Sequence, residues 1–150
     1  MLVGIISDTH GKLPEAVKSV FAGVGHVIHA GDIGGRRVLD ELELIAPVTA
    51  VRGNTDHDEL EWRLNDRALV TLEGRHILVF HEPNALKGRL PEGVDIVVNG
   101  HTHRSRAERI GETLFVNPGS SGMRGRDGRG ATVALLELSH DPPSARIIDL

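Results

Sequence analysis

Apolar runs recur along the chain, and each ends in a short polar stretch built from Gly, Asp, Asn or His. Residues 2–6 are apolar without alternation, the pattern of a strand covered on both faces, and lead directly into Asp8-Thr9-His10. Gly11 permits a turn. Leu13, Val17, Val20, Phe21 and Val24 then follow helical spacing, with Pro14 in the first turn and Gly23 and Gly25 as stops. The same unit follows again. Residues 27–30 lead into Gly31-Asp32, and a helix is predicted over 36–45, with Val38, Leu39, Leu42 and Ile45 on one face and Pro47 closing it. A third strand, 48–51, ends at Gly53-Asn54-Thr55-Asp56. The order βαβαβ with right-handed crossovers makes these strands parallel and gathers three polar loops at one sheet edge.

After a polar stretch around Trp62, tight turns replace helices as connections. Residues 68–72 and 76–80 flank Glu73-Gly74-Arg75 as a hairpin whose second arm ends at His81. The stretch 82–92 contains Pro83 and Pro91 and allows at most a brief helix. Strand 95–98 delivers Asn99-Gly100-His101-Thr102-His103, and an extended chain through Thr102 would point both imidazoles to one side. A second hairpin, 107–110 with 113–116, turns at Gly111-Glu112 and ends in Asn117-Pro118-Gly119-Ser120-Ser121-Gly122. Residues 124–130 are polar and Gly-rich, and 131–138 with 145–150 form a closing antiparallel pair. We expect an α/β fold of two sheets packed face to face with helices outside, in a single domain spanning 1–150.

Composition narrows the chemistry. The 150 residues include no Cys, so any metal must be held by His, Asp, Glu or Asn. A net charge of −4, one Trp, three Phe and no Tyr argue against general nucleic-acid binding. The first residues lack a basic leader and their apolar stretch is too short to span a bilayer, which points to a cytoplasmic protein without membrane attachment. Three Lys stand against fourteen Arg, a bias that suits an anionic substrate and equally a codon preference.

The polar loops supply seven candidate metal ligands: Asp8, His10, Asp32, Asn54, His81, His101 and His103. Each follows an apolar run, the end at which open α/β sheets hold their ligands. Taken singly, each has a plainer reading: a helix cap for Asp8, a turn residue for Asn54, a strand-end histidine for His81. Seven O and N donors exceed the need of one ion but suit two that share a carboxylate, with Asp32 as the natural bridge. His29 is expected to support a neighbour from beneath, and His26, His76 and His140 to be solvated. Asn117, Gly119 and Ser120 are read as the floor of the site, or as a tight turn. Arg104, Arg124 and Arg126 are read either as a phosphate clamp or as solvated side chains.

These motifs, in this order, resemble the calcineurin-like metallophosphoesterase superfamily and its small phosphodiesterases of the YfcE type. The resemblance covers positions 8–122. It implies a four-layer αββα sandwich of two mixed sheets flanked by helices, the metallo-dependent phosphatase fold. It implies Asp8, His10, Asp32 and His103 on one ion, and Asp32, Asn54, His81 and His101 on a second. Mn²⁺ is the first choice of metal, with Zn²⁺, Fe or Ni²⁺ as alternatives. The implied activity is a metal-dependent phosphodiesterase acting on a small phosphoester. A metal-bridging hydroxide attacks phosphorus, and His10, Asn54 and His101 take part in catalysis.

Two positions depart from the family pattern. Thr55 stands where many members carry His, with His57 as a displaced substitute, and Glu82 stands where Gly usually follows the ligand His. A phosphomonoesterase using Arg104 or the Arg124 loop is one rival. A non-catalytic scaffold like the retromer subunit of this superfamily is the other, and it would be expected to have lost ligands. Edge strands such as 145–150 leave pairing between subunits open.

Overall fold

The computed structural model describes residues 1–56, 64–122 and 128–150. The first part alternates as the pattern predicts: β1 Leu2–Ile6, α1 Glu15–Val20, β2 His26–His29, α2 Arg36–Glu43 and β3 Val48–Ala50. β1 pairs with β2 and β2 with β3, both in parallel. Both helices are shorter than the apolar spacing predicts. α1 stops at Val20, and Phe21 and Val24 reach the core from the turn that follows, so they keep their burial without helical backbone. Trp62 lies outside the described residues.

The second part contributes β4 Arg67–Leu72, β5 Arg75–Phe80, a 3₁₀ turn Pro83–Leu86, β6 Ile96–Val98, β7 Arg106–Ile110 and β8 Thr113–Asn117. β9 Thr132–Glu137 and β10 Ser144–Asp149 close the chain as an antiparallel pair. The β4–β5 turn uses only Glu73 and Gly74, with φ 48° and 75°, a two-residue left-handed turn that matches strand twist. The strands form two mixed five-stranded sheets, in the orders β10-β9-β1-β2-β3 and β4-β5-β6-β8-β7. The second sheet has a parallel centre, β5-β6-β8, with the hairpin arms β4 and β7 at its edges.

The two sheets pack face to face through Val3, Ile5, Ile28 and Val51 on one side and Ile77, Val79, Ile96 and Val98 on the other. On the outer face of the first sheet, α1 and α2 bury Val17, Val38, Leu39 and Leu42 against Ile6, Val27 and Leu135. Gly4 lies on this face because the Phe21 ring occupies the space of a side chain, 2.9 Å from where a Cβ would stand. Burial of a ring of this size stabilises by about 1.5–3 kcal/mol. The outer face of the second sheet, Leu78, Phe80 and Val97, is covered by Leu86, Leu90 and Val94. Among the described residues this outermost layer holds only the 3₁₀ turn. The α/β sandwich is therefore the expected one, with its fourth layer thin.

Candidate metal centre

Three parallel strands of one sheet and two of the other end at a common rim. The β1 and β2 ladders continue past the strands as loop-to-loop bonds: Asp8 N–H to Gly31 O at 3.0 Å, His10 N–H to Asp32 O at 3.1 Å and Gly11 N–H to Ile33 O at 2.8 Å. Gly100 N–H donates to His81 O at 3.1 Å, which joins the two loops of the second sheet. Gly122 N–H donates to Asp8 O at 3.1 Å and Ser121 N–H to Ser7 O at 3.1 Å, fastening the 117–122 segment beneath the first loop.

All seven candidate ligands converge there. Asp8 Oδ1 lies 3.1 Å from His103 Nε2 and 3.8 Å from His10 Nε2. Asp32 Oδ2 lies 3.3 Å from His81 Nε2 and 3.9 Å from His10 Nε2. Asn54 Oδ1 lies 3.0 Å from His81 Nε2 and 3.2 Å from His101 Nδ1. Two ligands about 2.1 Å from one ion are roughly 3.0 Å apart when cis and 4.2 Å when trans, so these separations fit a shared metal. The donor set is also chemically right, with carboxylate, imidazole and amide groups for a divalent cation. Turned over, the Asn54 amide would place its nitrogen 3.3 Å from both Asp32 oxygens, while the oxygen-inward orientation is the one able to coordinate. Asp8, Asp32 and His81 are buried at the base, and His10, Asn54 and His101 are exposed at the rim.

Local conformation marks the same residues. Asp8, His10, Asp32, His101 and His103 all hold positive φ, between 48° and 70°. Non-Gly residues rarely adopt this region, and such strain gathers at sites where a side chain must be aimed. This corrects the expectation of an extended 99–103 segment. The strand ends at Val98, and left-handed backbone at φ 70° and 57° turns His101 toward Asn54 and His103 toward Asp8. The two histidines serve different neighbours rather than one face of a strand.

Hydrogen bonds fix charge and tautomer. Burial works against ionisation of Asp32, but bonds from the His81 imidazole and the Thr55 N–H outweigh it and hold the carboxyl well below the usual carboxylate range. Burial likewise works against a charged His81, but the bond to Asp32 and the Ala30 carbonyl raise it above the ordinary histidine value. The Nδ1–H of His81 donates to Ala30 O at 2.7 Å, leaving Nε2 directed into the cluster.

His29 is fully buried, and it supports two loops at once. Gly31 N–H donates to its Nδ1 at 3.2 Å, so the proton sits on Nε2, 3.0 Å from Thr9 Oγ1, and Thr9 in turn donates to Ile33 O at 2.7 Å. Burial pushes this imidazole down to about 3. Asn117 joins the 99–103 loop to its own turn: its Nδ2 donates to Gly100 O and Thr102 Oγ1, and its Oδ1 accepts from Gly119 N–H. Ser120 Oγ meets Asp8 O at 3.4 Å.

Two contributors escaped the sequence reading. Ser7 Oγ donates to Asp8 Oδ2 at 2.6 Å. Asp56 accepts from Ile33 N–H, Gly34 N–H and Gly53 N–H, tying the Asp32 and Asn54 loops together. The only sequence hint was the spacing Gly53-Asn54-Thr55-Asp56. His26 is half-buried and bonded to Thr49 Oγ1 at 2.8 Å rather than solvated, whereas His76 and His140 are exposed. His57, Arg124 and Arg126 lie outside the described residues.

The profile of the calcineurin-like phosphoesterase superfamily domain matches residues 1–141. A probable metallophosphoesterase of Methanocaldococcus jannaschii is 37% identical over 132 residues, covering 80% of this chain and 68% of that protein. The phosphodiesterase YfcE of Escherichia coli is 31% identical over 156 residues, covering 87% and 84%. Among solved structures, an archaeal phosphodiesterase superposes with a TM-score of 0.80 at 27% identity over 100% of both chains. Vps29 of Entamoeba histolytica gives a TM-score of 0.76 at 22% identity over 100% and 99%, a likeness of fold alone.

Proposed function

The chain belongs to the calcineurin-like phosphoesterase superfamily, and from that premise we propose that it is a phosphodiesterase working with two divalent metal ions, Mn²⁺ foremost. The observation that carries this reading is the convergence of seven donor groups from five loops, with separations from 3.0 to 4.0 Å. When bound, the ions would supply Lewis acidity to the phosphoryl oxygens and acidify a coordinated water. Asp8, His10, Asp32 and His103 would hold the first ion, and Asp32, Asn54, His81 and His101 the second. Asp32 Oδ2 faces both His10 and His81, which supports its role as the shared carboxylate.

The chain's own residues set the rest of the chemistry. Asp8, Asp32 and His81 are held by buried bonds and give a rigid base, so little reorganisation is needed as charge develops. His10, with its side chain 31% exposed, and His101 stand at the rim where an ester can approach. Thr55 donates its N–H to Asp32 at 3.0 Å, and its hydroxyl is a poor acid at neutral pH. Departure of the alcohol therefore depends on its own acidity, so esters of acidic alcohols are the better substrates. Relatives named as phosphodiesterases favour a diester over a monoester. The shared inter-sheet core supports reading residues 1–150 as one domain. No described helix is long and apolar enough to cross a membrane.

The test is hydrolysis of a bis-aryl phosphate by Mn²⁺-loaded protein and by the variants Asn54→Ala and His101→Ala. Each variant is expected to retain its fold by circular dichroism and to lose about 100-fold or more in kcat/KM. Undiminished turnover in either would contradict the ligand assignment.

A further inference from the structure

A cleft of about 460 Å³ opens beside the second ligand group, with Asn54 and His81 in its wall. Arg52, Asp66, Glu82 and Asn84 also line it. The Arg52 guanidinium is anchored, donating from Nη2 to Leu64 O at 3.0 Å. The side chains of Asp66, Glu82 and Asn84, by contrast, make no hydrogen bond or ion pair with any described residue, and all three are exposed. The cleft thus presents the Asp66 and Glu82 carboxylates and the Asn84 amide, beside the anchored Arg52 guanidinium, to whatever occupies it. No Phe, Tyr or Trp is among its described lining residues.

This chemistry discriminates between occupants. A carboxylate accepts hydrogen bonds from hydroxyl groups but repels an anion, and without a ring there is no platform on which a base or aryl group could stack. A phosphodiester carries one negative charge. A monoester at neutral pH approaches two, because its second ionisation lies near 6. Glu82 directly follows His81 and shares the cleft wall with it and Asn54.

We propose that this cleft receives the alcohol portion of the diester that stays on phosphorus, and that Glu82 and Asp66 select a hydroxylated, uncharged group there while disfavouring the more highly charged monoester. The proposal rests on the phosphodiesterase reading above and adds to it the class of substrate. It also gives Glu82 a purpose where the family pattern has Gly.

The test compares kcat/KM for a bis-aryl phosphate and the matching aryl monophosphate in Mn²⁺-loaded protein. Glu82→Gln and Asp66→Asn each keep shape and remove one charge. Each is expected to move the ratio toward the monoester about two- to fivefold, with a smaller effect at high salt. A p-nitrophenyl glyceryl phosphate should be preferred over its propyl analogue several-fold, and Glu82→Ala should abolish the preference. Calorimetric titration with inorganic phosphate supplies a readout without turnover, with tighter binding expected in both charge-removing variants. An unchanged ester ratio and unchanged phosphate affinity would overturn the selection by charge. Equal use of the glyceryl and propyl esters by the unaltered protein would overturn the hydroxylated class. If the unaltered protein hydrolyses no ester, the phosphodiesterase reading is what fails, and the phosphate titration still decides the effect of the charges.

Discussion

Single residues in this protein act mainly by fixing the loops that carry donors. His29 is the clearest case, a neutral imidazole that takes a bond from Gly31 and gives one to Thr9. In the unfolded chain it binds a proton near 6.5, and in the folded protein not until about 3. Across that window the unfolded state holds more protons, so stability falls as pH drops from 6.5, by up to about 1.4 kcal/mol per unit, and is flat above it. Urea denaturation at several pH values should show this slope, and His29→Gln should remove that part of it. Asp56, 8% exposed, receives three backbone N–H groups. Asp56→Ala leaves them without a partner and should cost about 2–4 kcal/mol in the same measurement. Thr55→His would restore a group able to donate a proton at neutral pH. It should raise turnover of esters with poorly acidic alcohols by roughly tenfold or more, with little change for aryl esters.

At the scale of elements, the succession of strands and turns along the chain was readable because apolar runs and turn residues are local signals. The three helix-connected strands, both hairpins and the closing pair lie where the pattern places them. The convergence of the seven candidate ligands was readable as well, since their loops each follow an apolar run. The conformation of the 99–103 loop was not, because left-handed backbone at His101 and His103 is imposed by contacts distant in sequence. Asn117 is one such contact, holding Gly100 O and Thr102 Oγ1. Asn117→Ala should therefore lower kcat/KM for a diester about tenfold or more through loss of loop position, with a stability loss of only about 1–2 kcal/mol. The roles of Ser7 and Asp56 were hidden for the same reason: an Asp that accepts three backbone bonds from two other loops carries no local mark. Gly53 shows the same closeness of loops, because a Cβ there would overlap the Asp32 carboxylate. Gly53→Ala should weaken metal binding, measurable by calorimetry with Mn²⁺.

For the whole molecule, the design is two mixed sheets whose parallel strands end at one rim, with a shared core holding the rims in register. That core makes the site a property of the fold rather than of any one loop. It also explains how buried Asp8 and Asp32 are kept close despite like charge: their loops are joined by the continued β1–β2 ladder. A cation would relieve that repulsion, so metal binding is the property on which the proposed activity depends. The direct measurement is titration of metal-free protein with Mn²⁺, recording bound metal and bis-aryl phosphate hydrolysis together. Activity is expected to rise with loading and to level off at two ions per chain. Two tightly bound ions with no turnover, or full activity at a single ion, would contradict it.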